Sequence, residues 1–346
     1  MESQTHKTIL VVDDQSTMRT LIRQFLLAEG YKVVDVDNGE EAVKLASSTN
    51  YDGILLDFKM SGIDGVETCR QIRRSKRHQV TPILFITSMG DDEALQNAFE
   101  AGCDDFIVKP INPIVLHARL KAHIDKTELY YQLERVRKSL NRYISPRTQK
   151  VVEQYAGTGE YPPPEKREIC SLFTDIRGFT QLSQHIPTER LFALLSEHLA
   201  YQVELVYQYG GYVDKYAGDG IMAIFEEGDI AERSCVCALE IIKHAKDLAS
   251  HEQRHLFAVG CGIDKGQAII GNIGSPEHLD YSVVGETVNL AARLCGYARP
   301  MSIAVSKSIY QKNKNNNKFL FSEEHDIEFK GFEQLVAVRE LYLKQE

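Results

Sequence analysis

The chain of 346 residues lacks the features of membrane-spanning and nucleic-acid-binding proteins. Its longest apolar runs, such as Ile83–Ile86, have the length of a β-strand and are much shorter than a membrane-spanning helix. It has no basic surplus, since the formal net charge is −9, whereas nucleic-acid-binding domains normally carry excess lysine and arginine. The first residues, Met1–Lys7, are polar, which predicts that no signal peptide is present.

The sequence also lacks the paired cysteines of zinc sites. Its seven cysteines make an odd number, and none stands in a Cys-x-x-Cys pair. Cys235 and Cys237 lie two residues apart in a helical pattern, so they point in different directions. We therefore expect reduced thiols and a cytoplasmic protein. A hydrophobic content of 43% and a charged content of 26% are typical of soluble globular domains, and the length suits two of them.

Residues 8–125 alternate between strand-like apolar runs and amphipathic stretches with helical spacing. This alternation predicts a doubly wound (βα)5 fold, a parallel sheet with helices on both faces. In such sheets the working site lies at the carboxyl ends of the strands. The predicted strands are Ile9–Val12, Val33–Val36, Ile54–Leu56, Ile83–Ile86 and Phe106–Val108.

Polar residues follow four of these five strands, and they would meet at one edge of the sheet: Asp13, Asp14, Asp57, Thr87 and Lys109. Three clustered carboxylates repel one another and attract a hard divalent cation such as Mg²⁺. With a cation bound, Asp57 could attack phosphorus, Thr87 could donate to a phosphoryl oxygen, and Lys109 could supply positive charge. Each residue alone could be a helix cap or a turn residue. Their coincidence at matched strand ends favours a phosphoryl-transfer site.

The segments "ILVVDDQSTMR", "LLDFKMSGIDG", "FITS" and "VKP" resemble the receiver domain of two-component response regulators, over about residues 6–125. The resemblance implies that Asp57 is the phospho-acceptor and that a histidine kinase or another phosphodonor is a partner. It implies one Mg²⁺, held by Asp14, Asp57 and the backbone carbonyl of Lys59 with support from Asp13. It also implies that Thr87 and Lys109 contact the phosphoryl group and that Lys109–Pro110 is a cis peptide.

Two positions depart from the receiver pattern. Ser61 stands where the family usually has proline, and Phe106 occupies an aromatic switch position often held by tyrosine. Neither change removes a reacting group, so we expect phosphorylation, whereas the way in which the signal is relayed stays open.

A helical linker is predicted over residues 126–165, between a receiver domain of residues 1–125 and a second domain of residues 166–346. One helix free of glycine would run from Pro113 to Ser145, Pro146 would end or kink it, and Gly157–Gly159 with Pro162–Pro164 would form a flexible joint. A coiled-coil seam is predicted from apolar residues spaced four and three apart, namely Leu129, Leu133, Val136, Leu140 and Tyr143. A single amphipathic helix lying on a domain surface is the alternative.

Residues 166–346 predict a second α/β unit, a sheet with helices packed on one face. A strand at Ile169–Phe173 leads to a long helix, and a hairpin turns at Gly218–Gly220. A helix at Ala231–Leu248 follows. After it come two paired strands, around Phe257–Ile263 and Gln267–Ile273, and Lys312–Lys318 is predicted to be a loose loop.

Two aspartates in this unit are candidate metal ligands. Asp175 ends the first predicted strand and Asp219 lies in the hairpin turn, four residues after Lys215. Backbone N–H groups around Gly178 and Thr180 could hold a triphosphate at a helix start. Two bound Mg²⁺ ions could then activate a hydroxyl and neutralise a leaving pyrophosphate. A capping or turn aspartate is the ordinary explanation for each alone, but the pair beside a glycine-flanked loop favours a nucleotide site.

Asn289 and Arg293 are four residues apart and so share one face of a predicted helix. A polar pair on an otherwise apolar helix is costly to bury unless it has a partner. A solvated helix face would also explain the pair. Arginine suits a phosphate in a transition state because its charge is permanent and its donors form a fork.

The segments "FTDIRGFT", "KYAGDGIMAIF" and "GNIGSPEHLDYSVVGETVNLAARL" resemble the catalytic domain of class III adenylyl cyclases, an α+β ferredoxin-like fold, over about residues 166–345; "NRYISPRTQKVVE" is typical of its lead-in. The resemblance implies two Mg²⁺ or Mn²⁺ ions per site, bound by Asp175, Asp219 and the backbone carbonyl of Ile176. It implies that Lys215 and Ser282 face adenine, that Asn289 orients the ribose, and that Arg293 stabilises the pentavalent phosphorus. The implied phosphate contacts are Gly178, Phe179, Thr180 and, in "FKGF", Lys330.

The residue at position 215 bears on the choice of nucleotide. Family members that use ATP generally have lysine there with an aspartate or threonine partner, and those that use GTP generally have glutamate. Lysine can donate to adenine N1, whereas guanine N1 already carries a hydrogen and needs an acceptor. Ser282 departs from the usual threonine but keeps the hydroxyl. We therefore expect conversion of ATP to cyclic AMP, with GTP and a catalytically silent signalling adaptor as the alternatives.

The resemblance also implies a homodimer, because the metal carboxylates and the base-reading and Asn/Arg groups of one site come from different chains in this family. Two copies would contain two complete sites related by two-fold symmetry. Phosphorylation of Asp57 is expected to regulate how the halves close, in a direction that the sequence leaves open. A nucleic-acid-binding output domain is disfavoured by the acidic charge and the absence of a basic recognition helix.

Overall fold

The structure is a computed structural model, and it describes residues 7–88, 92–250, 257–275 and 277–344. It divides the chain into two compact units, Met1–Ser139 and Leu140–Glu346. Residues 1–6, on which the expectation about a signal peptide mainly depends, lie outside the described residues. Within the described part of the chain, none of the helices is long and apolar enough to cross a membrane.

The first unit is a five-stranded parallel sheet in the order β2-β1-β3-β4-β5. The predicted strands are confirmed to within one residue at each end: β1 (Thr8–Val12), β2 (Lys32–Val36), β3 (Gly53–Asp57), β4 (Ile83–Thr87) and β5 (Asp105–Val108). The helices between and after them are α1 (Ser16–Ala28), α2 (Gly39–Ser48), α3 (Gly65–Arg73), α4 (Asp92–Glu100) and α5 (Pro113–Leu140).

Both faces of this sheet are covered, which explains why its strands read as unbroken apolar runs. Leu10 and Leu56 face a cluster built with α2 and α3. Ile9 and Leu55 face the opposite cluster, built with α1 and the first part of α5. Alternate residues of one strand therefore serve two cores, and the polar residues at the strand ends are left at one edge.

The linker differs from the prediction at Pro146. The helix α5 ends at Leu140, and Pro146 begins a new helix, α6 (Pro146–Thr158). Ser145 caps it, its Oγ accepting a hydrogen bond from the Thr148 N–H at 3.1 Å. Proline is favoured at the first helical position because its missing N–H has no partner there in any case. Gly157 lies in the last turn of α6, so the joint predicted at Gly157–Gly159 is partly helical.

The second unit is a nine-stranded sheet whose main path runs β12-β14-β11-β9-β6-β8-β7, with β10 paired to β9 and β13 to β14. The strands are β6 (Glu165–Arg177), β7 (Tyr212–Ala217), β8 (Gly220–Phe225), β9 (Ala258–Ser275), β10 (His278–Val284), β11 (Ser302–Ser306), β12 (Phe319–Phe321), β13 (His325–Ile327) and β14 (Val336–Leu343). The helices after α6 are α7 (Phe179–His185), α8 (Thr188–Gln208), α9 (Ile230–Ser250), α10 (Glu286–Tyr297) and α11 (Lys307–Asn313).

The prediction of two paired strands between residues 257 and 273 is wrong. A single strand, β9, runs through Gly266, which pairs with Ile169 of β6. The hairpin partner of β9 is β10. Gly266 falls between the two predicted strands, but in the structure it occupies a strand position that pairing with β6 keeps extended. The loop predicted at Lys312–Lys318 also begins later, because α11 extends to Asn313.

Helices lie on both faces of this sheet, which corrects the prediction of one covered face. Cys261 and Ile263 of β9 pack in a core with α8 and α9. Gly262 points to the other face, where a Cβ would lie 2.0 Å from the backbone nitrogen of Cys295 in α10. Glycine is therefore required for α10 to approach the sheet so closely.

Candidate functional site

The acidic residues of the first unit converge as predicted. One carboxylate oxygen from each of Asp13, Asp14 and Asp57 lies within 4.8 Å of the others. Asp13 is fully buried and Asp57 nearly so, whereas Asp14 is exposed and accepts a hydrogen bond from the Ser61 N–H at 3.1 Å. Hard oxygen ligands at this spacing fit a divalent cation such as Mg²⁺.

Lys109 provides the positive charge of this cluster. Its Nζ donates to Asp57 Oδ1 at 2.8 Å and to Asp13 Oδ2 at 3.3 Å. Burial raises the pKa of Asp57, and the hydrogen bond from Lys109 opposes that rise. Burial lowers the pKa of Lys109, but the two carboxylates outweigh it and the pKa is raised. The Lys109–Pro110 peptide is cis, as the resemblance implied.

The remaining receiver residues lie around this edge. Thr87 is the last residue of β4 and is nearly buried, and Lys59 is exposed in the loop that leaves β3. Phe106 on β5 is half-buried and packs edge-on against Phe99 of α4, with 4.8 Å between ring centroids. The aromatic switch position is therefore held between the sheet and α4.

The two candidate metal ligands of the second unit lie close together. Asp219, in the turn between β7 and β8, accepts a hydrogen bond from the Ile176 N–H at 3.0 Å. Burial, followed by the charge of Asp219, raises the pKa of Asp175, and Arg177 partly opposes this. Two neighbouring carboxylates of this kind form a donor set that fits divalent cations.

The loop after Asp175 turns at a glycine and then enters a helix. Gly178 has a φ of +74°, the left-handed region that favours glycine, and it precedes α7. Phe179 and Thr180 open that helix, where backbone N–H groups lack partners within the helix.

Lys215 and Ser282 meet although they are 67 residues apart. Lys215 Nζ on β7 donates to Ser282 Oγ on β10 at 2.7 Å. Two carboxylates flank the same ammonium group: Asp280 Oδ2 lies 3.1 Å away and Asp214 Oδ2 lies 3.5 Å away. The strand β10 thus presents a hydroxyl and a carboxylate to one lysine.

Asn289, Arg293 and Lys330 line one cavity of about 1220 Å³. Asn289 and Arg293 lie on an exposed face of α10, and Lys330 lies in the segment that precedes β14. Because all three are exposed within one chain, burial imposes no cost on them here. The structure of a single copy therefore agrees with both explanations of the Asn289 and Arg293 pair, a solvated helix face and a functional site.

Two family models match the chain. The response regulator receiver domain matches residues 9–121, and the adenylate and guanylate cyclase catalytic domain matches residues 161–342, just over half of the chain. The chain belongs to the adenylate and guanylate cyclase family. It is a class III nucleotide cyclase domain fused to a receiver domain.

Curated relatives of this cyclase share only part of its length. The transcriptional regulatory protein ResD of Bacillus subtilis (strain 168) is 47% identical over 120 residues, covering 34% of this chain and 49% of ResD. SrrA of Staphylococcus aureus (strain NCTC 8325 / PS 47) is 37% identical over 120 residues, covering 35% of this chain and 48% of SrrA. The chain spans about half the length of the curated relatives it matches.

Solved structures similar to this chain include adenylyl cyclases and guanylyl cyclases. A bacterial light-regulated adenylyl cyclase has a TM-score of 0.54 at 24% identity, covering 62% of this chain and 63% of that one, and it shows the fold. Adenylyl cyclase CyaB from P. aeruginosa (TM-score 0.49, 27% identity) covers 53% of this chain and 98% of its own. Guanylyl cyclase Cya2 has a TM-score of 0.48 at 25% identity, and the match covers 52% of this chain and 94% of Cya2.

Arg177 is a cyclase residue that the sequence patterns did not single out. Its guanidinium forms an ion pair with Asp175 and donates to the backbone carbonyl of Cys295 in α10. It therefore connects the strand that carries Asp175 with the helix that carries Asn289 and Arg293. The signal available was its position two residues after Asp175, on the same side of β6.

A buried polar chain beneath the cyclase site was also missed. Thr174 Oγ1 accepts from the Ile221 N–H at 3.0 Å and donates to Gln202 Oε1 at 2.7 Å. Gln202 Nε2 lies 2.8 Å from His198 Nε2. Thr174 precedes Asp175, and Ile221 follows the turn that holds Asp219, so this chain fixes both carboxylate loops. The available signal was the four-residue spacing of His198 and Gln202, which places both on one face of the helix α8.

Proposed function

We propose that this cyclase is an adenylyl cyclase that converts ATP to 3′,5′-cyclic AMP and pyrophosphate in a homodimer regulated through Asp57. The observation that carries the proposal is the Lys215 ammonium group held 2.7 Å from Ser282 Oγ. An ammonium group is only a donor, which suits adenine N1 and opposes the N1–H of guanine.

The chain's own residues can be assigned to the reaction. The ribose 3′ oxygen forms a bond to the α-phosphorus while the bond to pyrophosphate breaks, and the hydroxyl proton leaves to solvent. Asn289 orients the ribose, and Arg293 supplies a permanent charge to the pentavalent phosphorus. Lys330, which shares their cavity of about 1220 Å³, contacts phosphate. Backbone N–H groups of Gly178, Phe179 and Thr180 hold the remaining phosphates.

Both units would hold divalent cations. Asp175, Asp219 and the Ile176 carbonyl bind two Mg²⁺ or Mn²⁺ ions, which supply charge neutralisation to the attacking hydroxyl and the leaving pyrophosphate. In the receiver, Asp14, Asp57 and the Lys59 carbonyl bind one Mg²⁺, with Asp13 in support. Thr87 and Lys109 contact the phosphoryl group accepted by Asp57 from a histidine kinase or small phosphodonor.

Exposed apolar side chains support the homodimer. On α5, Leu129, Leu133 and Val136 are each more than half exposed. Apolar residues of a coiled-coil seam are exposed in this way in a single chain and become buried when a second copy binds. In the cyclase unit, Ile273 of β9 and Val284 of β10 are about half exposed. These two strands form the hairpin that carries Ser282. The linker assigned to residues 126–165 would bring two cyclase domains together.

Mixing two inactive variants tests the shared sites. Asp175→Ala removes a metal ligand, and Arg293→Ala removes the phosphate-binding cation. Equal mixing should restore up to about a quarter of wild-type activity, because half of the dimers are mixed and each has one intact site of two. No recovery, with mixed dimers demonstrated by mass or tag exchange, would contradict the homodimer.

A cyclase assay with ATP and GTP offered separately, with Mg²⁺ or Mn²⁺, tests the reaction. Formation of cyclic AMP is expected, formation of cyclic GMP alone would mean a guanylyl cyclase, and nucleotide binding without turnover would mean a signalling adaptor. Repeating the assay with a small phosphodonor, on the native chain and on Asp57→Asn, tests regulation; only the native chain should respond.

The seven buried free thiols support a cytoplasmic location.

A further inference from the structure

The lysine that faces the base has a second partner on β10. Asp280 and Ser282 are two residues apart in a strand and so lie on the same face. Asp280 Oδ2 lies 3.1 Å from Lys215 Nζ, and its side chain is 63% exposed. Asp214, the other carboxylate beside Lys215, has only 4% of its side chain exposed. Of the two acids, Asp280 is the one that an entering base can contact.

Ser282 alone cannot distinguish the two purines at the 6-position. A hydroxyl both donates and accepts, so it can pair with the amino group of adenine or with the carbonyl oxygen of guanine. A carboxylate only accepts. It therefore pairs with the amino group and repels the carbonyl oxygen, and such an unpaired polar contact is the usual source of strong discrimination.

We propose that Asp280 is a specificity-determining residue of this base subsite. Its carboxylate accepts a hydrogen bond from the 6-amino group of adenine and holds the Lys215 ammonium group toward N1. Asp280 and Ser282 each accept a hydrogen bond from that ammonium group, so the three side chains form one polar cluster. The inference rests on the proposed cyclase function and names the residue that selects its substrate.

The experiment compares Asp280→Asn with Glu277→Gln in the full chain. Glu277 is an exposed acid near the start of the same strand, so the control makes the same change in charge. The measured quantity is the ratio of kcat/KM for ATP to kcat/KM for GTP. We expect Asp280→Asn to lower this ratio about tenfold or more, mainly through KM, because an amide can also donate to the guanine oxygen. Glu277→Gln should leave it unchanged, and Asp280→Glu should keep the preference for ATP.

Binding of 3′-deoxy-ATP and 3′-deoxy-GTP, which cannot cyclise, separates this inference from the proposed function. If the wild type forms neither cyclic nucleotide, the function fails, and the ratio of the two dissociation constants in wild type and Asp280→Asn still tests Asp280. If the wild type forms cyclic AMP and Asp280→Asn keeps its preference, the inference about Asp280 is overturned while the function stands. Equal losses of affinity for both nucleotides in Asp280→Asn would also overturn the inference about Asp280, because they indicate a structural role alone.

Discussion

His198 is a buried histidine whose neutral form the fold requires. Burial, with a contribution from the charge of nearby His244, lowers the pKa of His198 to about 4. In the unfolded chain its pKa returns to about 6.5, so the unfolded state binds more protons between these values. The stabilising effect of neutral His198 is therefore fully present above about pH 6.5 and is lost as the pH falls toward 4.

This predicts a pH-dependent unfolding free energy. Lowering the pH from 7.5 to 5 should cost the cyclase unit on the order of 2 kcal/mol through His198. The Asn variant of His198 should lose that dependence, whereas the same change at the exposed His325 should keep it. Thermal unfolding of the full chain at both pH values measures the effect, and equal slopes for wild type and His198→Asn would contradict it.

Thr174 connects the two loops that carry Asp175 and Asp219. Replacing Thr174 with valine keeps the shape but leaves the Ile221 N–H and the Gln202 amide oxygen without partners. We expect a loss of about 1–3 kcal/mol in stability and weaker binding of Mn²⁺, because the carboxylates are less well positioned. Calorimetric titration with Mn²⁺ measures this, and Thr174→Ser, which keeps the hydroxyl, should bind like the wild type. Identical Mn²⁺ affinity in Thr174→Val would rule out a positioning role.

Single residues were predictable where strand ends place them together. Asp13, Asp57 and Lys109 were found because parallel strands bring their carboxyl ends to one edge. Asp280 and Arg177 were missed because an exposed strand aspartate and an arginine after a strand have many ordinary uses. The β9–β10 hairpin brings Asp280 to Lys215, and the packing of α10 brings the Cys295 carbonyl to Arg177. Neither feature shows in local sequence.

At the scale of elements, the helix α10 depends on glycine in the strand beneath it. An alanine at position 262 would place its Cβ 2.0 Å from the Cys295 backbone nitrogen. Gly262→Ala should therefore displace the helix that carries Asn289 and Arg293, destabilise the unit by about 1–3 kcal/mol and abolish most activity. Turnover together with thermal unfolding measures both effects.

Gly296 provides the matched control because it lies in α10 itself. Apart from the adjoining helix backbone, none of the described residues has an atom within 4 Å of the place that an alanine methyl would take there. Gly296→Ala should keep activity and raise stability by about 0.5–1 kcal/mol, since alanine favours helix. Equal behaviour of the two alanine variants would show that close packing at Gly262 does not position α10.

Element types were predicted better than their boundaries. The hairpin at Gly218–Gly220 and the alternating strands of the first unit follow from local pattern alone. Gly266 and Pro146 were misread because each has two meanings: glycine can turn a chain or lie within a paired strand, and proline can end a helix or begin one. The neighbouring strand β6 and the Ser145 cap decide between them.

At the scale of the whole molecule, the exposed seam of α5 predicts concentration-dependent activity. Leu133→Glu places a charge in the seam and should weaken self-association at least about tenfold, so that specific activity rises with protein concentration. Arg135→Glu also introduces a glutamate on α5 but lies off the seam, and it should behave like the wild type. Sedimentation velocity and turnover over a concentration series measure this; full activity of a strictly monomeric Leu133→Glu protein would contradict it.

The helix α5 belongs to the receiver core at its start and extends beyond that core. Leu116, Leu120 and Ile124 pack in the core, and Thr127 and Glu128 still contact the receiver, through the Val80 carbonyl and Lys7. The stretch from Glu128 to Leu140 spans about 12 residues and is about 18 Å long, so a tilt of about 10° at the receiver would move the far end by about 3 Å. A small tilt of α5 at the receiver core would thus produce a larger displacement of the helix end at Leu140.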